Sequence, residues 1–295
     1  MYDVLSFYQA KSVDDAIGAL TGDSEALLIS GGTDLLLKLR SGEYPERALI
    51  SIHRLGELTG VEKRPDGAIV IKPCTCFSDI IKAPVIRETL PAFCDAAGQI
   101  GSPQIRNVAT IGGNICNGAV SADTAPLLLV YNALLELKDE NGTVNVPIQE
   151  FYTGPGKTVR KHTQILTSVK IAKPDYDRFG AHYTKFGVRN AMEIATIGCA
   201  AGVRLSDDRA VIEELRIAFG VAAPTPVRCP ETEKAMSRMP VCLDTLTLIG
   251  KGVLQEVNPR SSWRASKTYR LQLIRELSKR AVKSAIENAG GTIDA

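Results

Sequence analysis

The sequence predicts a fold of mixed helices and strands in two domains, the first of them subdivided. Its 295 residues are too many for one comfortable core and too few for three independent ones. Strand-like and helix-like segments alternate at the start of the chain, and the last third carries two apolar strand patterns followed by helical segments. We therefore expect an α+β protein.

The first unit covers about residues 1–55 and begins as strand, helix, strand, helix. Ser12 can cap a helix that Gly22 ends. A short buried strand at 26–29 precedes a helix from Asp34 to Arg40, and the segment 47–52 supplies a further strand.

The rest of the chain divides at a linker-like segment, 172–180, so we predict domains over 1–175 and 176–295. The glycine-rich segment 110–126 is expected to interrupt the first domain as a loop. Two helical segments are expected after the last strands, the second from about Ser266 to Gly290-Gly291. The other predicted elements are strands either side of the turn Pro65-Asp66-Gly67, helices near 77–82 and 90–100, a hairpin around Asn141-Gly142, and strands over 164–171, 195–205 and 215–222.

Charge and cysteine content narrow the class of protein. Lys and Arg number 35 against 33 Asp and Glu, and no basic block stands out, so nucleic acid is not an expected partner. The start of the chain lacks the pattern of a signal peptide, and no apolar run approaches the ~20 residues of a spanning helix. Seven scattered cysteines, an odd number, fit reduced thiols. We expect a cytoplasmic protein without membrane attachment.

Cys74 and Cys76 are the one close cysteine pair. On a strand their sulfurs would share a face and could hold a metal, or they are two small buried residues. We predict no metal in this chain.

Two glycine segments suggest one shared ligand. Ser30-Gly31-Gly32-Thr33 follows a strand and precedes a helix, so its backbone amides could bind a diphosphate that the missing Cβ atoms let approach. The segment could equally be a plain turn with Thr33 as N-cap. It matches neither GxGxxG nor a P-loop.

The second segment, 109–123, supplies small side chains and amides, followed by polar groups at Asn117, Ser121 and Asp123. It could line the site of an extended polar cofactor. A solvated loop would explain Asn117 and Ser121, but not the apolar VATIGGNI that precedes them.

Several stretches together resemble the FAD-binding subunits of the molybdenum hydroxylases, and within them most closely the bacterial xanthine dehydrogenase group. The resemblance runs in order over essentially the whole chain. It is carried by LLISGGTDLL, GSPQIRNVATIGGNICNGAVSADTAP, YTGPGKT, YTKFGVRNAMEIATIG, LRIAFGVAAPTPVRCPETE and VNPRSSWRASKTYRLQLIREL.

This resemblance implies a two-part FAD-binding domain of the vanillyl-alcohol oxidase (PCMH) type, followed by an α+β C-terminal domain with a small antiparallel sheet and helices. It implies noncovalent FAD, since His53, His162 and His182 lie outside the glycine motifs. A four-cysteine segment, typical of relatives that reduce aromatic acyl thioesters, is not found in the sequence.

The resemblance also implies which residues contact FAD. The first segment would hold the pyrophosphate, and Asp34 is expected to point at backbone amides or water, since phosphate would repel it. Leu166 would be an apolar neighbour of the cofactor. The implied contacts are Leu28, Ile29, Ser30, Gly31, Gly32, Thr33, Asp34, Thr110, Gly112, Gly113, Asn114, Asn117, Asp123, Leu166 and Lys185.

Lys185 has a catalytic role by this resemblance, as a fixed cation that favours reduction of the flavin. From the residues alone it could be a solvated lysine at a strand end. Glu193 stands where relatives more often have aspartate, in a loop that influences the approach of NAD+. It could equally form a surface ion pair with Arg189.

The implied function is electron transfer within a larger enzyme. A molybdenum-cofactor subunit would hydroxylate a purine, a [2Fe-2S] subunit would relay electrons, and FAD here would pass hydride to NAD+. Other N-heterocycles, aldehydes or carbon monoxide would require little change in this chain. Two alternatives stay open: a free-standing FAD oxidase of the same fold, and a flavin-free interaction protein.

Overall fold

A three-stranded parallel sheet forms the first unit of the computed structural model, which describes residues 3–293. The strands lie in the order β1-β3-β2. Apolar side chains of α1, including Ile17 and Leu20, cover one face, and Leu39 of α2 packs on the other. The elements are β1 (Val4–Gln9), α1 (Val13–Gly22), β2 (Leu27–Ile29), α2 (Leu35–Arg40) and β3 (Arg47–Ser51). This is the α/β unit that the sequence predicts, and Ser12 caps α1 as expected.

The second unit is a five-stranded antiparallel sheet in the order β4-β5-β10-β6-β7, with helices packed on it. Phe77, Phe93 and Leu128 lie in its core. Its elements are β4 (Val61–Lys63), β5 (Ile69–Ile71), α3 (Phe77–Lys82), α4 (Pro84–Thr89), α5 (Pro91–Gly98), α6 (Pro103–Arg106), α7 (Ile111–Cys116), α8 (Ala125–Val130), β6 (Leu134–Asp139), β7 (Gly142–Pro147), β8 (Tyr152–Gly154), β9 (Lys157–Thr158) and β10 (Ile165–Ile171).

The prediction of a loop over 110–126 is wrong, because this segment contains the two short helices α7 and α8. Thr110 starts α7 by accepting a bond from Gly113 N at 3.2 Å. All six residues of α8 are buried. Because the glycine pair leaves this segment without apolar periodicity, the sequence pattern did not indicate a helix. The cap at Thr110 and the buried surroundings nevertheless stabilise one.

The third unit is a four-stranded antiparallel sheet, β11-β12-β13-β14, packed against the longest helix of the described chain. Ser266 caps that helix, which begins where the sequence predicts. The elements are β11 (Gly180–Phe186), β12 (Ile197–Leu205), β13 (Ile212–Gly220), β14 (Val227–Arg228), α9 (Pro230–Met236), α10 (Leu243–Gly252) and α11 (Lys267–Asn288). Three helices follow the sheet where two were expected, and β11 was not predicted.

The third unit packs directly on the second. The Arg216 guanidinium of β13 donates to Val130 O at 2.9 Å, pairs with Asp175 at 2.9 Å and lies 4.7 Å from the centre of the Phe179 ring. Because Arg216 is buried, this cluster joins the sheet of the third unit to the end of α8. Between residues 3 and 293, no helix combines the length and the apolar character needed to cross a membrane.

Gly180 allows α11 to lie against β11, since a Cβ atom there would be 2.3 Å from Ala285 O. We expect Gly180→Ala to lower the free energy of unfolding by about 1–3 kcal/mol, because strand and helix must separate to admit the methyl group. Denaturant titration measures this. The control is Gly154→Ala in β8, where the nearest atom would be 3.9 Å away. Equal loss in both variants would contradict the explanation.

Candidate functional site

The first glycine loop, Ser30–Asp34, leaves β2 and touches the second unit. A Cβ atom on Gly31 would lie 1.8 Å from Val108 O, and Gly32 has a φ of +69°, so both positions require glycine. Within the described residues, the amides of Gly31, Gly32, Thr33 and Asp34 donate to no protein acceptor. Thr33 is not the N-cap of α2, because Asp34 occupies that position without a side-chain cap. The loop therefore offers a row of free amide donors.

The Asp34 carboxylate pairs with Lys38 Nζ at 3.2 Å, one turn along α2, and among the described residues it accepts no bond from a backbone amide. The same ammonium donates to Asn117 Oδ1 at 3.1 Å. Lys38 thus offsets the charge of Asp34 and connects α2 to the end of α7.

The second glycine segment places two glycines in different surroundings. Gly112 N donates to Pro73 O at 2.8 Å, and a Cβ atom on Gly112 would lie 2.5 Å from Pro73 Cβ. A Cβ atom on Gly113 would meet only Thr110 Oγ1, at 3.2 Å. Gly112 is required for packing, whereas Gly113 presents bare backbone to open space.

These two segments face each other. Gly31 lies against Val108, the residue just before the second segment, and Lys38 reaches Asn117 at its other end. Asn114 Oδ1 accepts a bond from Thr124 Oγ1 at 2.7 Å, which fixes its side chain inside the segment. The structure therefore brings together the two glycine segments that the sequence singled out, about 80 residues apart.

A buried ion pair lies at the end of the second segment. Asp123 accepts bonds from Lys185 Nζ and Tyr183 Oη, both at 2.8 Å, and Lys185 Nζ also donates to Gln99 O at 3.0 Å. Both charged side chains are only 9% exposed. Burial raises the pKa of Asp123, and the Lys185 cation opposes that rise. The interpretation of Lys185 as a solvated lysine is therefore wrong.

His53 is a buried residue that was not among the site residues predicted from the sequence. Its Nδ1 atom and Ser30 Oγ are both buried without a hydrogen-bond partner. They line a cavity of about 400 Å³ at the carboxyl edge of the parallel sheet, together with Phe7, Gln9, Ile29, Ser51 and Arg54. The sequence could have indicated this site only through the strand arrangement, because the carboxyl ends of parallel strands meet at one edge of a sheet.

The apolar residues among the predicted contacts pack in the hydrophobic clusters of the first two units. Leu166 is buried beside Leu137 in the second unit, and Leu28 and Ile29 point to opposite faces of the first sheet. Their contact with FAD stays a prediction. Arg189 Nε and Glu193 Oε2 form an ion pair at 2.9 Å, which is the alternative interpretation of that loop.

Cys74 and Cys76 do not lie on a strand. β5 ends at Ile71, Cys76 is the residue before α3, and Cys74 Sγ donates to Ile52 O at 3.4 Å. The premise that their sulfurs share a strand face is therefore wrong.

Comparison with known proteins agrees with this arrangement. Residues 3–174 match a family model described as the FAD binding domain in molybdopterin dehydrogenase, and residues 181–285 match the CO dehydrogenase flavoprotein C-terminal domain. The chain is 45% identical to the xanthine dehydrogenase FAD-binding subunit of Escherichia coli O157:H7, over 99% of this chain and 100% of that one.

More distant relatives share the whole architecture. Identity to the carbon monoxide dehydrogenase medium chain of Hydrogenophaga pseudoflava is 30%, over 95% of this chain and 96% of that one. A solved structure of carbon monoxide dehydrogenase from the same organism superimposes with a TM-score of 0.92 at 26% identity, covering 98% of this chain and 99% of that chain. The chain belongs to the FAD-binding subunits of the molybdenum hydroxylases.

Proposed function

We propose that this chain is the FAD subunit of a xanthine dehydrogenase, accepting electrons from [2Fe-2S] clusters and passing hydride to NAD+. The observation that carries the proposal is the approach of the two glycine segments, at Gly31–Val108 and Lys38–Asn117, with free amides on the first and the buried Asp123–Lys185 pair at the end of the second. We take the space between these segments as the FAD cleft. The 45% identity over the full chain supports the choice of subgroup.

The residues of the cleft fit noncovalent FAD. The amides of Gly31, Gly32, Thr33 and Asp34 would donate to the diphosphate, whose charge their dipoles stabilise. Gly113 would allow the cofactor to approach the backbone, and the unpaired Ser30 hydroxyl would gain an acceptor. Four other predicted residues would then contribute indirectly, by fixing the shape and position of α7: Thr110, Gly112, Asn114 and Asn117.

Lys185 would act as a fixed cation toward the bound flavin. An ammonium group has three donors, of which Asp123 and Gln99 O accept two in the described chain. The third N–H would be available to a carbonyl oxygen of the ligand. Because the group is buried, its charge is poorly screened and would favour negative charge on the ligand. FAD would supply the storage of two electrons and their release as hydride.

The surrounding complex follows from the same proposal. A molybdenum-cofactor subunit would select and hydroxylate the purine, and an iron–sulfur subunit would relay electrons to this chain.

We place the domain boundary at 175/176, between β10 and β11. All seven cysteines are free thiols, which supports a cytoplasmic location.

A steady-state assay of the assembled complex tests the substrate and the acceptor. We expect kcat/KM for xanthine and hypoxanthine to exceed that for nicotinate by at least about tenfold, since a purine-specific pocket leaves polar groups unpaired with other rings. NADH formation should exceed oxygen consumption. A complex prepared without this chain is the control and should form no NADH. Preference for nicotinate would refute the purine assignment, and activity with O2 alone would refute NAD+ as acceptor.

A further inference from the structure

Tyr183 is a buried side chain beside the Asp123–Lys185 ion pair, and the proposed function gives it no role. Its hydroxyl donates to Asp123 Oδ1 at 2.8 Å, while Lys185 Nζ donates to Asp123 Oδ2 at the same distance. Only 3% of Tyr183 is exposed. Because the two donors lie two positions apart on β11, they share one face of its sheet. Each oxygen of the carboxylate is therefore bound by a different side chain of β11.

The strands that follow β11 leave room for this arrangement. A Cβ atom on Gly198 of β12 would lie 2.7 Å from Tyr183 Oη. Gly220 of β13 pairs with Gly198, and a Cβ atom there would lie 3.1 Å from Val120 O. These two paired glycines thus allow the phenol, and the segment that leads to Asp123, to lie close against the same sheet.

The hydrogen bond from Tyr183 acts on the charge of Asp123. Burial raises the pKa of Asp123, whereas the Lys185 cation and the hydrogen bond from Tyr183 lower it. Burial also raises the pKa of Tyr183 well above its usual value, so the phenol stays protonated and keeps its donor. A hydrogen bond to an ionised group is roughly twice as strong as one between neutral groups. Tyr183 therefore offsets part of the carboxylate charge that lies next to the cation.

The Lys185 ammonium depends on this carboxylate for its position. Its other acceptor, Gln99 O at 3.0 Å, is a backbone carbonyl at the end of α5. Without the bond at Oδ1, the Asp123 carboxylate could turn both oxygens toward the ammonium, and its charge would be offset by the cation alone. The effect of Lys185 on a bound flavin would then be weaker.

We propose that Tyr183 is a positioning residue for the flavin chemistry: by binding one oxygen of Asp123, it keeps the Lys185 ammonium directed at the bound flavin and its charge less fully offset. This inference rests on the proposed function, which places Lys185 at the flavin. Tyr183 does not need to touch FAD, because it acts through Asp123. The reduction potential of FAD should therefore depend on the Tyr183 hydroxyl only while Asp123 is present.

The test measures the reduction potential of FAD bound to the full-length chain. We expect Tyr183→Phe to make the potential more negative. The ratio of the dissociation constants for reduced and oxidised flavin should rise at least about threefold, which is about 14 mV for a two-electron couple. Tyr176→Phe is the matched control and should leave the potential unchanged, because it removes another buried phenol, whose hydroxyl donates to Gly67 O at 2.6 Å.

Two further variants show whether the effect passes through Asp123. Gly198→Ala should displace the phenol, since the added methyl carbon would lie 2.7 Å from Tyr183 Oη, and should shift the potential in the same direction as Tyr183→Phe. In an Asp123→Asn background, Tyr183→Phe should have no measurable effect on the potential, because the neutral amide carries no charge to offset.

The outcomes separate this inference from the proposed function. If Lys185→Met shifts the potential and Tyr183→Phe leaves it unchanged, the role of Tyr183 alone is refuted. An equal shift from Tyr183→Phe with and without Asp123→Asn would show a direct effect on the flavin and would also overturn the inference. A chain that binds no FAD would refute the proposed function, and a potential insensitive to Lys185→Met would refute its placement of Lys185. Either of these two results would overturn the role of Tyr183 as well.

Discussion

Replacing Gly113 by valine is expected to abolish the retention of FAD by a chain that still folds. A Cβ atom at this position meets only Thr110 Oγ1, at 3.2 Å, so the side chain would project into the space where we place the cofactor. Loss of close backbone approach should raise the dissociation constant for FAD more than about a hundredfold, equivalent to about 3 kcal/mol. The absorbance of the purified chain reports flavin content, and circular dichroism reports folding.

Two neighbouring substitutions make this result specific. Gly112→Ala should instead destabilise the fold, because its Cβ atom would meet Pro73 Cβ at 2.5 Å. Gly18→Ala, in the middle of α1 with no atom within 4 Å, should leave FAD binding intact and stabilise the chain by about 0.5–1 kcal/mol. Full FAD occupancy in Gly113→Val would rule out our placement of the diphosphate.

Replacing Lys185 by methionine should lower the free energy of unfolding by about 3–5 kcal/mol at neutral pH, since Asp123 would keep a buried charge without its cation. Burial already raises the pKa of Asp123, and removal of the cation raises it further. A carboxyl group whose pKa is higher in the folded than in the unfolded chain stabilises the fold while it is protonated. That contribution is lost as the pH rises above about 4 and through the folded pKa. The destabilisation should therefore shrink on acidification.

Paired variants separate the charge from the packing. The double variant Lys185→Met/Asp123→Asn should recover much of the lost stability and lose the pH dependence, as a double-mutant cycle would show. The reduction potential of bound FAD should become more negative in Lys185→Met, because a fixed cation favours the reduced flavin. An unchanged reduction potential would show that Lys185 does not act on the flavin. Its structural role as the partner of Asp123 would be unaffected by that result.

Much of the architecture was accessible from the sequence. The mixed fold, with an FAD-binding domain followed by a C-terminal domain, is confirmed, the predicted cap Ser12 marked the start of α1, and the start of α11 near Ser266 is also correct. Those signals are local, because a cap bonds an amide only a few residues away. The two glycine pairs could also be recognised from their neighbouring residues alone.

The parts that escaped prediction depend on contacts between distant segments. α7 begins at a glycine pair that no propensity scale favours, and Pro73 holds its start in place. Lys185 resembles a surface lysine until Asp123, 62 positions earlier, is folded against it. His53 and Ser30 line the same cavity only because two parallel strands end at one edge of the sheet.

The Asp123–Lys185 pair also orders events during synthesis of the chain. The acid leaves the ribosome 62 residues ahead of the lysine, a lag of about 3–12 s at ordinary rates of translation. Throughout that interval Asp123 lacks both of its side-chain partners, since Tyr183 has not yet emerged either. The buried pair can therefore form only after residue 185 has emerged, so the second glycine segment is synthesised well before the contact that closes its end.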